Sequence, residues 1–137
     1  SHKTNIEMSL SSISDLELLI EKFNTKHLRP HGTIHITPLL DISLMKRAQW
    51  PSNDLPGVYI FLDSEKAITY IGKASRNIGS RLAARFDIKW TPKSPESVGC
   101  HYITTIPLPL EVYFEAPAIE EYLLHNLNTR SNKVHNG

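Results

Sequence analysis

Five residues carry side chains and spacings suited to chemistry on a phosphodiester: Tyr59, Tyr70, Lys73, Arg81 and Glu120. Such hydrolysis needs an activated water, charge neutralisation at phosphorus and help for the leaving alkoxide. Glu120 offers a hard oxygen ligand of the kind Mg²⁺ accepts while keeping several waters. One carboxylate holds such an ion weakly, so substrate phosphate must complete the site. Arg81 offers a planar fork of donors to phosphate oxygens and is charged at any relevant pH. A tyrosine hydroxyl beside a cation can orient water, or deprotonate it if its pKa falls from about 10. The residues leave the general base open between Tyr59 and Tyr70, and Lys73 open between tuning a tyrosine and contacting phosphate.

The charge distribution favours the same region. Lys73, Arg76, Arg81, Arg85, Lys89 and Lys93 face a single acid, Asp87, so six cations less one acid give +5 over 21 residues. The whole chain is +1, which leaves −4 elsewhere. A nearly neutral protein with one basic strip has the footprint of a phosphate-backbone contact.

These residues must be held by short elements. Gly57 to Asp63 is dense in β-branched and aromatic residues and predicts a strand; Ala67 to Gly72 predicts its partner, joined by a turn at Ser64-Glu65-Lys66. Alternation puts Tyr59 on the face opposite Val58 and Ile60, and Tyr70 on the face of Gly72, where the missing side chain would admit substrate or backbone. A helix is expected over 80–88 with Leu82, Ala83 and Phe86 inward, a third strand over 100–106, and a last helix from Pro117 to about Asn128. Upstream, Ser14-Asp15-Leu16-Glu17 reads as a capping box opening a helix over about 14–28, which must stop before Arg29-Pro30. Thr33 to Ile36 alternates as a short edge strand, Pro38 to Trp50 could hold a short helix, and Pro51 to Pro56 is a connector.

Gly57-Val58-Tyr59 followed by Tyr70-Ile71-Gly72 resembles the paired motif of the GIY-YIG nuclease superfamily. Lys73 follows the second tripeptide directly, Arg81 lies at the next helical onset, Glu120 sits in the first turns of the last helix, and Asn132 closes the segment. The resemblance covers residues 55–134. It implies a mixed α/β (α+β) domain around a three-stranded antiparallel sheet flanked by helices. It also implies DNA endonuclease activity with one Mg²⁺ or Mn²⁺ ion. On that pattern Tyr59, Tyr70, Lys73, Arg81 and Glu120 are catalytic, with Glu120 the metal ligand; Gly57, Gly72 and Asn132 are structural. The basic strip of Lys73, Arg76, Arg85, Lys89 and Lys93 would hold the DNA. Two departures stand out. Arg85 occupies a position where many members carry histidine or tyrosine, and the stretch from Tyr70 to Arg81 is one residue longer than the commonest spacing.

Each of these residues also has a plain structural alternative. Either tyrosine alone is more often a packed strand aromatic, and Glu121 competes with Glu120 for the acidic position. Two rivals therefore stand beside the nuclease: a nucleic-acid-binding module without turnover, and a protein-interaction module. His31 and His35 are four apart, but Pro30 and Gly32 argue against a helix there, and they read as surface residues, as does His125.

Length and composition bound the rest. At 137 residues, with 40% apolar and 21% charged side chains, the chain has enough apolar content for one real core. We expect an N-terminal extension over 1–56 packed on a main domain over 57–134. No apolar run approaches ~20 residues, and the start lacks the apolar core of a signal peptide, so no membrane partner is expected. Cys100, the sole cysteine, excludes an intramolecular disulfide and fits the cytoplasm. No sequence-reading module is visible, so specificity would come from a protein partner or a homodimer, or be slight.

Overall fold

The computed structural model describes residues 9–45 and 49–130. Helix α1 (Ile13–Lys26) is followed by strands β1 (Leu40–Asp41), β2 (Gly57–Leu62) and β3 (Ile68–Ala74), helix α2 (Ile78–Arg85), strand β4 (Tyr102–Pro107) and helix α3 (Ala116–Asn126). The architecture is mixed α+β, with a wholly antiparallel sheet in the order β1-β4-β2-β3. The sheet has four strands rather than three. The addition is the two-residue β1, whose Leu40 and Asp41 pair with Ile103 and Tyr102. Among the described residues no helix is long and apolar enough to cross a membrane.

All six residues of β2 are buried, because helices cover both sheet faces. Val58, Ile60 and Leu62 meet Leu16, Ile20 and Phe23 of α1 and Ile119 and Leu123 of α3. Tyr59 and Phe61 meet Ile78 and Leu82 of α2, with Phe86 and Trp90 just beyond it. A fully buried side chain of this size stabilises by ~1.5–3 kcal/mol, so β2 anchors both layers. The N-terminal helix therefore shares the core of the sheet. Cys100 lies in the α2-side layer, and burial pushes its thiol up to about 12, away from nucleophilic chemistry.

Several boundaries differ from the sequence expectation for identifiable reasons. Helix α1 is capped by Ser12, not Ser14: the Ser12 amide donates to the Asp15 carboxylate (2.8 Å) and the Asp15 amide to the Ser12 hydroxyl (3.3 Å). The hairpin fixes that choice, since Ile13 N donates to Lys66 O and Ile68 N to Ser11 O. Helix α2 starts two residues earlier than expected, on an Asn77 cap whose side chain accepts from Ser80 N at 2.7 Å. It stops at Arg85, because Phe86 turns extended to reach the core. Thr33 to Ile36 forms no strand. Thr37 bonds to Thr105 instead, and only a 3-10 turn, Ile42–Leu44, appears before Trp50 among the described residues. Another 3-10 run, Leu110–Glu115, leads into α3.

Gly72 is crowded, not open to substrate. It pairs directly with Tyr59, and a Cβ at residue 72 would lie 2.2 Å from Tyr59 Cζ. The ring cannot swing away, because Tyr59 is 0% exposed and packs against Phe61 and Tyr70. Gly72→Ala is therefore expected to cost ~1–3 kcal/mol, the range for overpacking a filled core. Urea denaturation measures this; an unchanged midpoint would mean that the ring moves freely.

Candidate functional site

Strand β3 is an edge strand, and its end is where the candidate residues gather. After Ala74 the chain turns through Ser75 and Arg76 to the Asn77 cap. The residues around the longer Tyr70–Arg81 spacing build the first turn of α2 and dock on the connector. Ile78 N donates to Leu55 O at 2.8 Å, and Gly79 lies so close to Asn53 that a Cβ would sit 2.0 Å from its Oδ1. An open cleft of about 430 Å³ lies between the end of β3 and this first turn, lined by Lys73, Ser75, Arg76, Asn77, Ser80 and Arg81. Its charged side chains are all cationic.

Glu120 reaches the same strand end from the other face of the sheet. Helix α3 buries Ala116, Ile119 and Leu123, which leaves Glu120 on the flank of its apolar stripe. Its side chain is 19% exposed, and Oε1 lies 4.0 Å from Lys73 Nζ, a loose pair with a half-exposed lysine. Burial pushes the Glu120 carboxyl above its ordinary pKa, and Glu121 adds to the rise; Lys73 and Arg81 oppose it without cancelling it. Lys73, Arg81 and Glu120 thus interact electrostatically around one strand end.

The tyrosines do not join them there. Tyr59 and Tyr70 lie on the α2 side of the sheet, Tyr59 wholly buried and Tyr70 half-buried. Both hydroxyls accept from Arg85 Nη2 at 3.3 Å. Burial, with Tyr59 adding to it, raises the Tyr70 phenol to about 12 although Arg85 pulls the other way. At neutral pH Tyr70 is therefore a neutral phenol and no general base. The expectation of one cleft holding both hydroxyls, Arg81 and Glu120 is not met, because α2 covers the face that Tyr59 shares with Gly72.

Arg85 is held inward rather than presented to solvent. Its side chain is 16% exposed, and Nη1 pairs with Glu96 at 3.2 Å. The guanidinium also lies over the Tyr70 ring, 5.5 Å from its centroid. Arg76, Arg81, Lys89 and Lys93 are exposed, as a phosphate-facing strip requires. Asn132 lies outside the described residues. His31, His35 and His125 are exposed, and the first two are not on a helix.

No family model, curated protein or solved structure matches this chain. The site is therefore argued from its own geometry. Among the described residues no three metal-ligating side chains gather, so Glu120 stands as a lone carboxylate donor. Sequence reading passed over Glu96 and Ser97, which fell in a stretch read as loop. The available signal was Ser94-Pro95-Glu96-Ser97, a serine followed by proline at the start of a helical turn, here Pro95–Ser97.

The raised Glu120 pKa carries a stability consequence. The fold binds the Glu120 proton more tightly than the unfolded chain does. That stabilisation is complete below the ordinary glutamate pKa of ~4.3 and is lost as pH rises through the raised folded value. Glu120→Gln should therefore melt at a higher temperature than wild type at pH 7, with the gain vanishing near pH 4. Thermal denaturation at the two pH values checks this; a Glu120→Gln protein less stable at pH 7 would show that the Lys73 pairing outweighs desolvation.

Proposed function

We propose that this chain is a divalent-metal-dependent endonuclease that hydrolyses phosphodiester bonds in DNA, on a domain of the GIY-YIG type. One observation carries the reading. Arg81 from α2 and Glu120 from α3 approach the end of an edge strand from opposite sheet faces, at the lysine directly following Tyr70-Ile71-Gly72, beside an open cationic cleft. That is the order of residues the motif leads one to expect, and the cleft suits an extended polyanion.

The donor set fits one hard cation. Glu120 is an anion whose neighbours do not make up for its burial, as its raised pKa indicates, and added positive charge would relieve it. Glu120 would hold Mg²⁺ or Mn²⁺, with waters and phosphate oxygens filling the other positions. When bound, the ion supplies charge neutralisation at phosphorus and a more acidic water. Lys73 and Arg81 then bind non-bridging phosphate oxygens, Arg81 through its fork and Lys73 as a point charge. Tyr70, kept as a phenol, hydrogen-bonds instead of accepting a proton, and Tyr59 supports the strand pair from within the core. Neither tyrosine serves as base in this arrangement.

A second reading has one observation in its favour: both motif hydroxyls are bound to Arg85 rather than facing the cleft. This favours a nucleic-acid-binding module without turnover. A panel of linear and branched DNAs with Mg²⁺ or Mn²⁺ separates the two. On the nuclease reading wild type cleaves, Glu120→Gln abolishes cleavage with DNA affinity kept or improved, and Glu121→Gln remains active. Salt-dependent binding with no cleavage of any substrate would leave the binding module. Inactive Glu121→Gln beside active Glu120→Gln would move the metal ligand by one residue.

A further inference from the structure

Arg85 and Arg81 are four residues apart on α2, so their side chains leave the same helix face with Cβ atoms ~6 Å apart. That step is comparable with the one between neighbouring phosphates of a single strand. Arg81 lines the cleft, while Arg85 lies one turn further along, beside Tyr70. Beyond it the exposed Lys89 and Lys93 continue the positive charge.

The partner of Arg85 is the informative part. Glu96 gives its carboxylate to Nη1 at 3.2 Å, and its side chain is 28% exposed. A carboxylate and a phosphate present similar oxygen pairs to a guanidinium. The segment bearing Glu96 does not rely on this pair for its place. Ser97 Oγ donates to Arg85 O at 2.9 Å, and Lys93 N donates to the same oxygen at 2.8 Å. The Glu96 carboxylate can therefore leave Arg85 while the segment stays anchored. Nor does the protein saturate the guanidinium: Arg85 Nε is buried without a partner, an arrangement poorly suited to stability alone.

We infer that Arg85, beside Tyr70, is a second phosphate subsite continuous with the Lys73–Arg81 cleft, and that Glu96 occupies it as an internal counter-ion until a nucleic-acid phosphate displaces it. The inference rests on the nucleic-acid reading of the cleft. It takes the phosphodiester backbone as ligand and requires no cleavage.

The test is duplex DNA binding in EDTA, across a series of salt concentrations. Glu96→Gln should bind several-fold tighter at low salt and steepen the log-affinity against log-salt slope by roughly one unit, the value of one added phosphate contact. Adding Arg85→Gln should return the slope to that of wild type. If that double variant does not fold, Glu96→Gln with Arg85→Lys, which keeps the charge but loses the fork, should lose most of the tightening. An unchanged slope in Glu96→Gln, with wild type still binding, would overturn the subsite and leave the cleft reading intact. A gain that persists without the Arg85 fork would overturn it as well, as a general charge effect. Absence of salt-dependent binding in both wild type and Glu96→Gln would overturn the nucleic-acid reading and the subsite together.

Discussion

Strand β2 is buried on both faces, and the rest of the molecule is arranged around that constraint. A strand in this position needs a neighbour on each edge and a helical layer on each face. It has β3 and β4 beside it, α1 and α3 on one face and α2 on the other. The N-terminal helix is thus required by the core, since Leu16, Ile20 and Phe23 cover Val58, Ile60 and Leu62. Tyr59, in the middle of the strand, is taken up by the opposite layer.

With β2 at the centre, β3 becomes an edge, and an edge strand can be approached from both faces at once. This lets α2 bring Arg81, and α3 bring Glu120, to the end of one strand. The same arrangement sets the electrostatics. Glu120 emerges beside an apolar stripe and is partly desolvated, while the cleft near it has only cationic charges. Stability alone would favour a neutral side chain at residue 120. An ionised carboxylate held there at a cost is the kind of local compromise found where a protein does chemistry.

Much of this arrangement was legible in the residues. The hairpin, the antiparallel order and the helix carrying Glu120 follow from β-branched runs, turn residues and apolar spacing. The face shared by Tyr59 and Tyr70 follows from alternation alone. Whether that face is covered does not, because Val58 to Leu62 is apolar at every position and names no solvent side. Ser12 and Ser14 each stand three residues before an acid, so local pattern could not choose between them; contacts from Ser11 and Ile13 to the hairpin chose. The charge of Arg85 was visible, but its destination was not, because Glu96 lies eleven residues away in an irregular segment. Strand β1 is two residues long and carries no periodic signal.

The contact between the Tyr59 ring and Gly72 changes what the paired tripeptides can be used for. The aromatic ring of one tripeptide fills the space left by the missing side chain of the other, directly across the strand pair. The glycine is thereby required by the tyrosine, and the pair acts as a lock-and-notch joint inside the hairpin. A joint of this kind would persist through descent in any chain that kept the sheet, including one that had lost Glu120 or Arg81. Its presence in a sequence therefore attests to architecture. Evidence for catalysis must be sought in the residues around the end of β3, which selection is free to change without disturbing the joint.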